Sequence, residues 1–542
     1  MKKPLKLITC LLAGITASSL NGAIISLTPA NFPVGTITAL DVNADGQSEY
    51  FIEQDLTLSD SDEYILEGIT FVNNGAILTI PAETVLRGQP RSSETEFNPG
   101  ALVITREGSI DAVGTASGPI IFTTAAKDAD SDGLPDDSNA DGFADRFVVG
   151  TDSATDLLDE LPATTPLAPV VGTTSIRKLW GGVIILGSAP TNLDGVGNGA
   201  TIGEGFIEGL PVTNNGKYGG INPNDDSGIL QYVSIRHGGA VIGSGNEING
   251  LTLGGVGFGT TIDHVEVYCN EDDGIEFFGG TVNTSNMVVN FPGDDGFDID
   301  QGYTGLNQFW FCLMSGDDTF GGDHGAEWDG DDFAETGSPV TATLRPFAYP
   351  TIYNATFIGG GTTGAGDSAV RARNDFGGQI FNSIFANFPG TALDIDNSSV
   401  PGADSQSRFN AGTLVFRNNV WWNFNWTGAA FTNTASGLAD SAFEEAAFDG
   451  TSTFSTNNQI VSPGFVSLSQ SAEDGLNPVP LQVFSVPSLL AVTTNNETYT
   501  TTFFNPVGYK GAFSNAGTDM LWTTGWTAMN LRGILVDFGN ER

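Results

Sequence analysis

Three acidic pairs, Asp272-Asp273-Gly274, Asp294-Asp295-Gly296 and Asp317-Asp318, recur along the chain at a nearly constant interval. A fixed period of this kind marks a stacked solenoid, in which each repeat is one coil and equivalent residues lie over one another. Short β-rich triplets around Val265, Met287 and Phe309 keep the same step, and an acidic pair follows each triplet. Strand and turn therefore repeat together. The pattern predicts an all-β, single-stranded parallel β-helix of about 22 residues per coil, with the acidic pairs stacked as a ladder.

The rest of the chain reads in the same way. Apolar runs of strand length, such as Ile69-Thr70-Phe71-Val72, Val183-Ile184-Ile185-Leu186 and Gly250-Leu251-Thr252-Leu253, end at Gly, Asn or Asp, and no helical periodicity is sustained. Further rungs are expected at 352–358, 369–371, 379–385 and 392–395. Two stretches depart from the repeat. Residues 127–174 form a polar excursion, acidic and then rich in Thr, Pro and Ala. From residue 404 to 542 the repeat weakens around the Trp421-Trp422 cluster, which is expected to hold the last rungs and a C-terminal cap, since solenoid ends need a cover.

Residues 1–23 carry Lys2, Lys3 and Lys6, an apolar run and a small-residue end, the pattern of a secretory signal peptide. The expected location is extracellular or the outer cell surface, with 24–403 as the β-helix body. No later segment is apolar for long enough to read as a transmembrane helix. The net charge of -44, with Lys127, Lys178, Lys217 and Lys510 as the only lysines after the signal, argues against a nucleic-acid partner and for bound divalent metal or a high-salt setting. Cys269 and Cys312 lie about two coils apart, roughly 10 Å at 4.8 Å per rung, too far for a disulfide.

The segments 179–187, 246–257 and 260–265 (LWGGVIILG, NEINGLTLGGVG, TTIDHV) and the ending with Tyr509-Lys510-Gly511-Ala512-Phe513 and Gly525-Trp526-Thr527 resemble a family of large bacterial secreted proteins. The resemblance spans most of the chain after the signal. It implies a right-handed parallel β-helix of the pectate-lyase-like kind, and no single activity.

Two constellations carry candidate chemistry. In residues 128–145, Asp128, Asp130, Asp132, Gly133 and Asp136 are repeated nine residues later by Asp137, Asn139, Asp141, Gly142 and Asp145. Alternating oxygen ligands closed by a glycine suit Ca²⁺, which takes six to eight oxygens. The repeat resembles the calcium repeats of thrombospondin type 3 regions. A single copy stands at Asp41, Asn43, Asp45 and Gly46, with Glu49 at the ninth position; an ordinary Asp/Asn/Gly turn is the competing reading.

The ladder admits three readings: turn carboxylates bonded to backbone N–H groups, a Ca²⁺ site along the helix, or paired acids for glycoside hydrolysis. For the last, the candidate catalytic residues are Asp294, Asp295, Asp317, Asp318, His324 and Arg371. The order Asp-Asp, Gly322-Asp323-His324-Gly325, Arg371-Ala372-Arg373 is similar to polygalacturonase-type glycosidases, with two departures: Asp323 is inserted before His324, and Arg373 replaces a lysine. The functional expectation is a calcium-binding module for polysaccharide or extracellular matrix; the rival is a polysaccharide hydrolase or calcium-dependent lyase.

Overall fold

The computed structural model describes residues 22–42, 46–158, 170–171, 174–193, 203–210, 212–243, 246–317, 321–330, 347–361, 364, 366–397, 404–425, 438–439, 441–470, 475–486, 492–494, 497–499, 502–515 and 520–537. Residues 1–21 of the expected signal, and Asn43, Asp45 and Asp318, lie outside them. The described strands form a parallel β-helix of two large sheets, one of 11 strands and one of 18. We call the 11-stranded sheet the first sheet and the 18-stranded sheet the second.

One coil illustrates the build. Ile275–Phe278 lies in the first sheet and Asn283–Asn290 in the second; the next coil repeats them as Phe297–Asp300 and Leu306–Leu313. Alternation sends Ile275 and Phe277 inward and Glu276 and Phe278 outward, as a period of two requires. Inward residues stack in columns, with Leu251 over Ile275 over Phe297, and aromatics fill the interior: the rings of Phe297 and Trp310 stack at 4.3 Å. Cys269 and Cys312 are buried free thiols.

The long strands of the second sheet fold over a corner, which gives the coil its third face. The corner residue has left-handed backbone in every rung from Tyr232 (φ 50°) through His264 (54°), Asn286 (57°) and Phe309 (60°). Asn354, Asn382 and Asn418 continue the column. Asparagine tolerates this conformation better than most residues, which explains its recurrence. The corner also corrects a detail of the constant-step register: Met287 pairs with Trp310, because Phe309 occupies the bend over Asn286. Asn286→Ala is expected to cost about 1 kcal/mol by denaturant midpoint, and Asn286→Gly less, because only the β-carbon resists φ > 0.

The excursion from residue 127 packs on the outer surface, where Phe147 and Leu157 are buried against Ile65 and Ala125. A second excursion, between the strands Val183–Leu186 and Gly228–Arg236, carries the hairpin Glu204–Phe206/Lys217–Gly219 and was not foreseen from the period. From residue 404 a helix, Ser405–Ala411, precedes a further rung, whose halves Leu414–Arg417 and Val420–Trp422 meet at the Asn418 corner. Trp421 is interior, stacked on Phe385 at 4.3 Å. The C-terminal segment returns along the second sheet, and its helix Ala528–Leu531 docks on the strand Thr261–Tyr268.

Candidate functional site

The turn before each first-sheet strand is stacked, and backbone hydrogen bonds set its register. Gly274 N–H donates to Asp295 O (2.9 Å), Gly296 N–H to His324 O (3.0 Å) and Gly325 N–H to Ser368 O (3.0 Å). The third rung of the ladder is therefore Asp323-His324-Gly325. Asp317 is exposed on the loop after Leu306–Leu313 and does not stack. Phe297 pairs with Ala326, a longer step along the chain than that from Ile275 to Phe297. The extra residues of that coil fall between the strand and the turn and carry Asp317 away from the column. The constant-period expectation is corrected here for Asp317.

The inner acids first serve the fold. Asp273 Oδ1 accepts Asp295 N–H (2.9 Å), and Asp295 Oδ1 accepts His324 N–H (2.6 Å), so each carboxylate holds the next rung. The glycines are needed because a β-carbon on Gly274 would lie 2.3 Å from Val289 Cγ1. Burial pushes the carboxyl groups of Asp273 and Asp295 well above the usual range, with neighbouring acids adding to the effect. Asp272 is pushed up to about 7, by burial and then by Asp294.

Outward positions of the first sheet run in one register, from Phe51, Phe71, Val103 and Ile184 to Thr252, Glu276, Asp298, Glu327, Arg371 and Asp394. The face is apolar in its first coils and charged from Glu276 onward. Glu276 and Asp298 are held well above the normal carboxyl range by burial and then by Asp273. Glu327 is pushed up to about 7 by burial, against the pull of Arg373 at 2.7 Å.

His324 is 1 % exposed and joins the turn column to the strand column. Its Nδ1 is 3.0 Å from Ser368 Oγ, and its Nε2 is 3.2 Å from Arg371 Nη1. Burial, with Arg371 and Arg373 adding, lowers its pKa to about 4 despite Asp323, so the ring is neutral at pH 7. A guanidinium only donates, so Arg371 presents N–H to Nε2, and on the other side of the ring the Ser368 backbone N–H donates to Nδ1 at 3.3 Å.

Three groups bring ligand atoms within 4.8 Å of one another on this face: Asp272, Asp273 and Asp294; Asp273, Glu276 and Asp298; and Asp323, His324 and Asp367. Asp298 Oδ1 is buried and has no hydrogen-bond partner. Carboxylates outnumber the two arginines, so the face suits an oxygen-seeking cation. Among the residues singled out from sequence, Asp294, Asp295, His324 and Arg371 share this face. Arg373, read from sequence as standing where a lysine is found in the similar glycosidases, joins them; Glu276, Asp298 and Glu327 were not singled out, although Glu276 and Asp298 keep the ladder's step and follow Asp273 and Asp295 at the same offset.

The doubled acidic loop has the same hydrogen bonds in both copies. Asp128 accepts the N–H groups of Asp132 and Gly133 (both 3.0 Å), and Asp137 accepts those of Asp141 (3.1 Å) and Gly142 (2.9 Å). Asp136 accepts Ala129 N–H, and Asp145 accepts Ser138 N–H. Side chains of Asp130, Asp132, Asn139 and Asp141 close local turns two residues on. Oxygens of Asp128, Asp130 and Asp136 come within 4.8 Å of one another. At the single copy, Asp41 accepts Gly46 N–H (3.1 Å) and Glu49 accepts Val42 N–H (2.8 Å), the same offsets along the chain as in the doubled loop. Glu49 thus stands where Asp136 stands in the doubled loop.

Residues 50–134 and 163–459 match the model of the pectate-lyase-like β-helix domain. The chain belongs to that family. No curated protein matches the sequence.

Proposed function

We propose that the protein is a secreted, calcium-binding β-helix that holds polysaccharide or extracellular matrix on the outward face of its first sheet. The observation that carries this reading is the group of Asp273, Glu276 and Asp298, three carboxylates whose oxygens converge within 4.8 Å while Asp298 Oδ1 has no partner. A hard divalent cation offsets the mutual repulsion of such a group and leaves coordination positions for oxygens of a ligand. Bridging Ca²⁺ together with Arg371 and Arg373 would turn a face that repels acidic sugars into one that recognises their carboxylates. The doubled loop 128–145 supplies separate Ca²⁺ ligands that brace the excursion.

Calcium titration by calorimetry tests both sites. Glu276→Gln with Asp298→Asn is expected to remove the sheet site, and Asp128→Asn with Asp137→Asn the loop sites, each lowering the measured stoichiometry. Wild-type stoichiometry in the first variant would overturn the sheet site.

One observation favours a second reading, a polysaccharide-cleaving enzyme: Glu327, with a carboxyl pKa of about 7, lies beside neutral His324 and Arg371. A carboxyl poised near neutrality suits proton transfer to or from a glycosidic oxygen or a sugar carbon. New reducing ends would mark hydrolysis, and ultraviolet-absorbing unsaturated products elimination. Activity retained in Glu327→Gln would exclude this group.

A further inference from the structure

The outward column changes character at one coil. Up to Ile184 it is apolar and covered by the hairpin segment 203–210 and the turn around Ile242, which bring Ile207, Leu210 and Ile242 onto Val103 and Ile184. The two covering loops meet: a β-carbon on Gly209 would lie 2.7 Å from Ile242 Cγ1. The hairpin is fixed at its base, where Tyr218 Oη donates to Gln301 Oε1 at 2.6 Å and Arg106 pairs with Glu204 at 2.7 Å. One coil further on, Thr252 and Glu276 lie at the floor of a cleft of about 380 Å³, with Ile207, Ile242 and Ile248 at one end and the carboxylates beyond them.

A polymer lying along this face crosses the strands, following the column from coil to coil at about 4.8 Å per rung. The apolar loops close that path at the Ile184 coil. The cleft's volume is in the range of a single small-ligand site. At the foot of the wall stands Asn249, which is 5 % exposed; its Oδ1 has no hydrogen-bond partner, while its Nδ2 is bonded to Glu276 and Thr252. An acceptor left open in this way calls for a donor from outside the chain, which a ligand hydroxyl supplies.

We propose that the cleft is a chain-end pocket: it takes the terminal sugar of a uronate polysaccharide, with the Ile207–Ile242 wall stopping the chain and Asn249 Oδ1 accepting a hydroxyl of the end residue. Internal segments of the polymer are excluded, because the chain cannot continue past the wall. This rests on the calcium-loaded reading above and adds to it the mode of binding.

The test uses oligogalacturonides of increasing length with the full-length protein in Ca²⁺, counting protein molecules bound per chain at saturation by light scattering. The expected result is one protein per chain at every length, with an affinity per chain that stays level as the chain grows. Occupancy that rises in proportion to length would overturn the chain-end pocket and leave polysaccharide binding by the calcium-loaded face standing. Absence of binding at every length would overturn both.

Discussion

Glu266→Ala is expected to detach the C-terminal segment from the β-helix and to lower stability by about 3–5 kcal/mol, the range for leaving one partner of a buried charge pair alone. Glu266 is fully buried on the strand Thr261–Tyr268. Its carboxylate accepts Ser234 Oγ–H (2.5 Å), Asn290 Nδ2–H (3.2 Å) and the backbone N–H groups of Ala528 (2.6 Å) and Met529 (3.5 Å). Two of these donors open the helix Ala528–Leu531, whose N-cap is Thr527. Arg236, also buried, donates through Nε to Ser234 Oγ, so cation, hydroxyl and carboxylate form one chain under the C-terminal segment. Alanine removes these bonds and takes away the buried carboxylate that Arg236 reaches through Ser234. Limited proteolysis should then cut within residues 502–537 while the coils stay protected, and the thermal midpoint should fall. Glu266→Gln keeps an acceptor oxygen and is expected to fall between wild type and alanine. A protease-resistant C-terminus in Glu266→Ala would show that apolar packing around Trp526 and Met529 suffices by itself.

What the sequence made legible follows from what stacking repeats. Residues that recur once per coil, such as Asp273 and Asp295 or Ile275 and Phe297, appear as a period because each occupies the same place in a rung. The period therefore revealed the fold and the ladder, whereas His324 and Arg371 were singled out by a motif order similar to that of polygalacturonase-type glycosidases. It misplaced the third rung because spacing counts residues whether or not they lie in the stack, and the coil from Phe297 to Ala326 is longer than the one before it. Asp317 and Asp323 are both acids after a strand; only the backbone bonds of Gly296 and Gly325 distinguish them. The chain-closing wall was illegible for a related reason. Ile207 and Ile242 sit in excursions outside the repeat, and only the fold brings them over Ile184.

The cluster on the first sheet makes stability depend on pH with a sign opposite to that of an ordinary acidic protein with paired carboxylates. Burial pushes the carboxyl groups of Asp272 and Glu327 up to about 7 in the folded chain, and those of Asp273, Glu276, Asp295 and Asp298 are also raised well above their unfolded values near 4. Between the unfolded and folded pKa values, the folded state binds more protons than the unfolded chain. Stability is then full below about pH 4 for these groups and is lost as pH rises through their folded values, about 7 for Asp272 and Glu327, by about 1.4 kcal/mol per pH unit for each proton in excess. In chelator, the thermal midpoint is therefore expected to fall between pH 5 and pH 8. On the calcium reading proposed above, the cation would replace the protons as the neutralising charge, so its stabilising effect should be larger at pH 8 than at pH 5. Glu276→Gln with Asp298→Asn removes two of the titrating groups, and the slope in chelator should flatten accordingly. A midpoint that is level or rises with pH in chelator would mean that the face relieves its charge through rearrangement or solvent entry, and a resident cation would lose its electrostatic basis.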